Sequence, residues 1–398
     1  MRKISFTLLF ILSIYGCQNP GTDQNDRSIN PQSRSVSRSS PEWDNLFYRK
    51  TGWFGGDGIF CIPMDGREAI PATEDTESLW VFSDTLIGNI KGDSIENDGY
   101  VMIHNSIGFF KGRKPDKKNM EFYYPVDESG KPETLFHPQT PEAGEDNYLW
   151  LGDGFVNASV DSTLYIFAYR IRNTEGEFFN FEQLGVALIA IPRGSEPPFI
   201  DQKQYETPLF YPAENGKGDV TWGSGILVNT EEAGVPNPDG FIYVYGVQGM
   251  FKVLLAARVL PEDILNFEEY RFWNGKDWVE DKHEAKPILK GVSNEMSMSA
   301  VQDGRYVASY QSGIFAPDVA VQMATSPIGP FYPKKIIWSA PEVNEDLDYF
   351  AYNAKAHPHL APSNKLLISY NLNSLDFFTD VLDDPNLYRP RFVEVDLD

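Results

Sequence analysis

The chain has 398 residues, too many for one small module, although an all-β barrel, sandwich or propeller can hold that length as a single domain. Its 34 Lys and Arg against 57 Asp and Glu give a formal charge of −23, so it lacks the basic field that gathers nucleic acid or an anionic membrane surface. Hydrophobic residues make up 41% and aromatic ones 14%, enough for a large core; 32 Gly and 28 Pro imply many turns; and two cysteines, Cys17 and Cys61, supply neither a disulfide framework nor a Cys-based zinc site.

In chain order, Arg2 and Lys3 precede a mostly apolar run from Ile4 to Tyr15 that is too short to span a bilayer and reads as an export signal. The run ends Ile14-Tyr15-Gly16-Cys17, which resembles the lipobox of bacterial lipoproteins. That resemblance implies cleavage after Gly16 and a lipid on Cys17, and Gln18 rather than Asp after the cysteine resembles outer-membrane sorting. Residues 18–40 are polar, with almost nothing apolar to offset their ordering entropy, and read as a disordered tether. The expected organisation is therefore a lipoprotein signal peptide (1–16), a lipidated Cys and tether (17–40) and one globular domain (41–398), held at the bacterial outer membrane or cell surface.

One strand-like run recurs five times, starting at residues 79, 164, 242, 305 and 365. Each copy follows a shorter run (56–60, 152–156, 223–227, 294–300, 354–360) and precedes a third (104–110, 184–191, 252–260, 319–324, 392–397). Five such units without a long amphipathic helix predict a five-bladed β-propeller, with Trp43 to Arg49 as the outer strand that closes the last blade. A β-sandwich is the competing architecture, but it does not require three strand positions to recur in order.

In a propeller the start of strand one, the end of strand two and the start of strand three share one end of the blade. Those positions gather Asp57, Asp84, His104, Asn105, Asp153, Tyr169, Trp222, Glu295, Tyr310, Lys355, His357, Tyr370 and Asn371. Asp84 holds the register that Tyr169, Tyr310 and Tyr370 occupy elsewhere, so a charge interrupts an apolar pattern. A carboxylate at the end of a core strand is costly unless it is partnered or used. Asp57 and Asp84 on one hairpin, with Glu295 across the channel, form the carboxylate set that glycoside cleavage needs. Asp57 or Asp84 is expected to be nucleophile or base, and Glu295 the general acid. Asp153, His104, Asn105, His357 and Asn371 are expected to hold sugar hydroxyls, Tyr169, Tyr310 and Tyr370 to shape the pocket, and Trp53, Trp150 and Trp222, each ahead of a Gly-rich strand start, to offer platforms at the rim. For Asp153 a turn-capping role competes evenly, because Gly-Asp-Gly is also a common turn. No metal motif or cofactor is predicted; a structural cation in the channel is left open.

The segments Trp53-Phe54-Gly55-Gly56-Asp57-Gly58, Leu79 to Thr85, His104-Asn105-Ser106, Asn294-Glu295-Met296-Ser297, His357-Pro358 and Ser369-Tyr370-Asn371 together resemble the domain-of-unknown-function propeller lipoproteins of glycan-utilising bacteria. These are similar to glycoside hydrolases of the endo-D-arabinanase type, in which Gly-Asp and Phe-Gly-Asp-Thr segments mark the active centre. Here Ser83 stands where Gly is usual, and an insertion separates Gly58 from Leu79. The resemblance implies a sugar-cleaving propeller, with Asp57 and Asp84 as the inherited carboxylates; the expected partner is an extracellular glycan, and the protein is expected to be a monomer. A non-catalytic glycan-binding propeller lipoprotein is the alternative.

Overall fold

Short apolar runs broken every few residues by Gly, Asn, Asp and Pro favour antiparallel hairpins over helices, and hairpins dominate the computed structural model. It describes residues 37–397 apart from 176–179, 213–215 and 314–315; the side chains of 97 and 98 are also outside the description. The expected signal peptide, Cys17 and the tether up to residue 36 lie outside the described residues.

The fold is all-β. Sheets follow one another along the chain, each antiparallel, and within them most neighbouring strands are consecutive in sequence. The first contains Phe60–Pro63, Glu77–Phe82, Ser106–Lys111 and Met120–Tyr123. The second contains Asn147–Val156, Leu164–Asn173, Phe181–Ile191 and Lys203–Glu206. A larger third sheet is built on Val220–Asn229, Phe241–Gln248 and Val253–Val259. The fourth has Met296–Ala300, Tyr306–Gln311, Asp318–Ala324 and Lys335–Ser339. The fifth has Tyr349–Ala356, Lys365–Ser374 and Arg391–Asp396, with Ser37–Ser39 at its edge. A small sheet of Thr51–Gly56, Thr85–Lys91 and Ser94–Ile103 stands apart from this series and was not anticipated from the sequence.

The first strands of consecutive sheets pack against one another, from Phe60–Pro63 through to Tyr349–Ala356. Large aromatic side chains fill the spaces between sheets: Phe155, Phe167, Trp222, Tyr245 and Tyr310 lie in one continuous cluster, and Trp43, Phe47, Trp80, Phe82 and Phe392 in another. Each such ring contributes roughly 1.5–3 kcal/mol by leaving water.

The segment expected to close the last sheet is a helix, Pro41–Leu46. Pro41 supplies a φ preset for the first helical turn and lacks the N–H that the turn would leave unpaired, while Glu42 and Asp44 suit the positive helix end. The edge of the fifth sheet is taken instead by Ser37–Ser39, paired antiparallel with Arg391–Asp396 in the register Ser37 to Val395. The folded part therefore starts within the stretch read as tether.

Candidate active site

Asp57 follows the strand Thr51–Gly56, and Asp84 sits between Glu77–Phe82 and Thr85–Lys91. Two backbone hydrogen bonds lock them together: Asp57 N–H donates to the Asp84 carbonyl at 3.1 Å, and Ser83 N–H donates to the Asp57 carbonyl at 2.8 Å. The Gly-Asp-Gly sequence has a steric reason here. Gly58 has φ of +65°, and a Cβ on it would stand 2.6 Å from Ser83 Oγ.

The two carboxyl groups meet different surroundings. Asp84 Oδ1 accepts the Trp150 indole N–H at 2.9 Å and lies 3.1 Å from His104 Nδ1. Among the described residues nothing bonds to Asp84 Oδ2. Asp57 Oδ2 accepts the Tyr352 hydroxyl at 2.9 Å, and Oδ1 is buried without a hydrogen-bond partner. Burial, then the Asp84 and Glu295 carboxylates, push the Asp57 carboxyl up to about 8, against the weaker pull of the Tyr388 and Tyr352 hydroxyls. An acid whose carboxyl is held protonated, locked beside a second carboxylate, is the arrangement that divides acid from base roles.

Glu295 lies just before Met296–Ala300 and forms an ion pair with Lys355, whose side chain is 1% exposed. Lys355 Nζ also lies 3.8 Å from the centre of the Phe60 ring. Asp153 caps two backbone amides, Gly154 N–H at 2.8 Å and Ile226 N–H at 2.7 Å, the latter on the neighbouring sheet. Burial raises its carboxyl to about 7 despite these donors and the nearby Lys355. The Tyr169 hydroxyl donates to the Gly223 carbonyl at 2.9 Å and is held neutral by burial and by Glu295 and Asp153.

Bulges aim these residues inward. The ladder slips at Gly152-Asp153 in the second sheet, at Gly223-Ser224 in the third and at Asn353-Ala354 in the fifth, next to Asp153, Ser224 and Lys355 respectively. In the second and fifth sheets one extra residue reverses the alternation of faces beyond it, so side chains on either side of the slip can point the same way, and in the third both Gly223 and Ser224 are left out of the pairing. Asn353 adopts φ of +56°, as the fifth-sheet bulge demands.

A family model described as a domain of unknown function, DUF5005, matches residues 40–396. The chain belongs to the DUF5005 family. Curated proteins offer no match. Among solved structures, a candidate hydrolase from Bacteroides ovatus has a similar fold, with a TM-score of 0.67 at 20% identity over 92% of this chain and 93% of that one. A levansucrase from Bacillus subtilis (TM-score 0.45, 12% identity, 86% and 87% covered) and an α-L-arabinofuranosidase from Podospora anserina (0.43, 10%, 87% and 97%) are likenesses too faint to carry an argument.

Several residues expected at the site of this DUF5005 chain are placed elsewhere. Trp53 is buried and stacks on Phe122 at 4.2 Å, and Trp222 is buried against Phe272, so both rings are core rather than rim. Asn105 is fully buried, and its amide is consumed by Phe136 N–H, the Phe136 carbonyl and the Leu149 carbonyl. Tyr310 donates to Gln322 Oε1 and Tyr370 to Glu342, both away from the acids. His357 bonds Ser369 Oγ at 2.8 Å; burial, with His359 and Lys355 near it, holds its pKa well below the usual range. It lines a small polar cavity with Glu68 and Asp153. Among the described residues no group of three or more His, Cys, Asp or Glu is arranged to hold a metal ion. Asn371 Nδ2 donates to the Gly56 carbonyl at 3.1 Å and so steadies the backbone that carries Asp57.

Tyr148, Tyr352 and Tyr388 contribute to the site without having been placed in it by sequence. Of the three tryptophans expected at the rim, Trp150 is the one that stands beside Asp84. Tyr388 lies between the second and third runs of the last unit, outside the repeated strand positions, and had no sequence signal.

Proposed function

We propose that this protein is a glycoside hydrolase whose five main sheets are the blades of a five-bladed β-propeller, anchored at the bacterial surface through lipid on Cys17 and acting on an extracellular glycan. The observation that carries the reading is the Asp57 and Asp84 pair, locked by reciprocal backbone bonds and set in opposite environments.

Asp57 is the general acid. Its buried carboxyl keeps a proton to about pH 8, and that proton passes to the glycosidic oxygen as the bond to the anomeric carbon breaks. The role expected for Glu295 from its reach passes to Asp57 in this reading, because Glu295 is engaged by Lys355. Asp84, its Oδ1 addressed by two nitrogens, presents Oδ2 to the anomeric carbon or to the water that attacks it. Glu295 with Lys355, and Asp153 beside them, orient the sugar.

The test is release of new reducing ends from a panel of neutral polysaccharides, among them arabinan, galactan and xylan. Wild-type protein is expected to release them from at least one, and Asp57→Asn and Asp84→Asn, folded by circular dichroism, to lose that release by 10²-fold or more. Full activity in either variant overturns the mechanism. Retention of polysaccharide with no new reducing ends supports the glycan-binding alternative. Radiolabelled palmitate incorporated by wild-type protein and not by Cys17→Ser tests the anchor.

A further inference from the structure

Four aromatic rings stand in rank beside Asp84, contributed by two sheets. His104 stacks on Tyr148 with centroids 3.7 Å apart and planes 14° from parallel. Tyr148 meets Trp150 edge-on at 5.8 Å, and Trp150 meets Phe181 edge-on at 4.6 Å. The rank is fastened at both ends of its polar side: Tyr148 donates its hydroxyl to Asn173 Oδ1 at 2.9 Å, and Trp150 and His104 both reach Asp84 Oδ1. It is also partly open. The His104 side chain is 31% exposed and Phe181 37%, and Trp150 is half-buried.

A purely structural cluster of this size would be sealed, as the Phe47, Trp80 and Phe82 rings are. Here accessible rings lead directly to a carboxylate with an open oxygen. Aromatic faces take up the C–H faces of sugar rings, and the adjacent Oδ2 takes up a hydroxyl.

The charges beside the rank set the kind of sugar. The Asp84 carboxylate stands at the rank, Asp57 beside it keeps its proton, and Lys355 is buried in its pair with Glu295. Among the described residues no Lys or Arg lies within ion-pair distance of Asp57 or Asp84. A carboxylated sugar placed there meets like charge with nothing to answer it, and like-charge juxtaposition is an effective rejection device.

Building on the hydrolase reading, we propose that His104, Tyr148, Trp150 and Phe181 form a sugar-binding subsite flanking Asp84 that accepts an uncharged sugar residue and rejects a uronate. The experiment is titration calorimetry at low salt on protein carrying Asp57→Asn, which suppresses turnover. The probes are arabino-, galacto- and xylo-oligosaccharides and a galacturonate oligomer. At least one neutral probe is expected to bind, Phe181→Ala and Trp150→Ala to weaken it about five- to tenfold, and the galacturonate oligomer not to bind. Trp150→Phe, in the otherwise wild-type chain, keeps a ring and loses only the N–H, so it is expected to hold KM within about twofold while lowering kcat. Phe181 is partly exposed, so its variant tests the subsite even if Trp150→Ala does not fold. Neutral binding unaffected by both alanine variants, no binding by any neutral probe, or tight binding of the galacturonate oligomer overturns the proposal. Neutral binding that needs these rings, in a protein whose wild type releases no reducing ends, leaves the subsite standing and removes the hydrolase reading instead.

Discussion

Lys355 buries its ammonium group against the Glu295 carboxylate, joining the first strand of the fifth sheet to the entry of the fourth. Removing one partner leaves the other charged and out of water. Lys355→Met is therefore expected to destabilise the protein by roughly 3–5 kcal/mol, whereas Lys355→Met with Glu295→Met recovers most of the loss. Urea denaturation of the two variants checks this; equal losses would show that the charge pair is not what matters.

Asp57 couples folding to pH. In the unfolded chain its carboxyl titrates near 3.8 and in the folded protein at about 8. Between those values the native state holds a proton that the unfolded state has released, so this group's contribution to stability falls as pH rises from about 4 to 8. Asp57→Asn removes the titration. The variant is expected to be more stable than wild type at pH 9, by on the order of 1–3 kcal/mol, with a smaller difference at pH 5. Denaturant melts at the two pH values read the difference.

The same proton shapes activity. Release of reducing ends is expected to decline above about pH 8 as Asp57 ionises. Tyr352 donates to Asp57 Oδ2 and favours its charged form, so Tyr352→Phe is expected to move the alkaline limb to higher pH and to cost roughly 0.5–1.5 kcal/mol of stability. A limb that moves downward would contradict the assignment.

Asn105 serves the fold. Its amide ties the loop at Phe136 to the strand carrying Leu149, and Asn105→Ala would strand buried backbone groups. A loss of roughly 2–4 kcal/mol is expected, with oligosaccharide affinity unchanged at temperatures where the variant stays folded. Calorimetric melting and binding on the same sample separate the two effects.

The repeated hairpins were legible because alternation and turn residues act locally. The runs beginning at residues 79, 164, 242, 305 and 365 overlap the observed strands. The break at Asp84 was legible too, since a charge in an aromatic register needs no tertiary information. Orientation was not. Tyr169, Tyr310 and Tyr370 share a position in the repeat, yet one approaches Glu295 while the others turn to Gln322 and Glu342. Bulges at residues 152–153 and 353–354 reset the faces of those strands, and nothing in a period of two announces an inserted residue. Tyr388 and the Glu295 to Lys355 pair depend on how separate sheets meet, which lies beyond any single window of sequence.

The pairing of Ser37–Ser39 with Arg391–Asp396 has a kinetic meaning. Bringing together segments separated by most of the chain costs about 5 kcal/mol in loop closure, so this contact forms after the meanders that need only their neighbours. Until it does, Arg391–Asp396 presents an unpaired edge. At high concentration the amino-terminal strand of a second molecule can dock there as readily as the chain's own, which makes refolding yield depend on dilution.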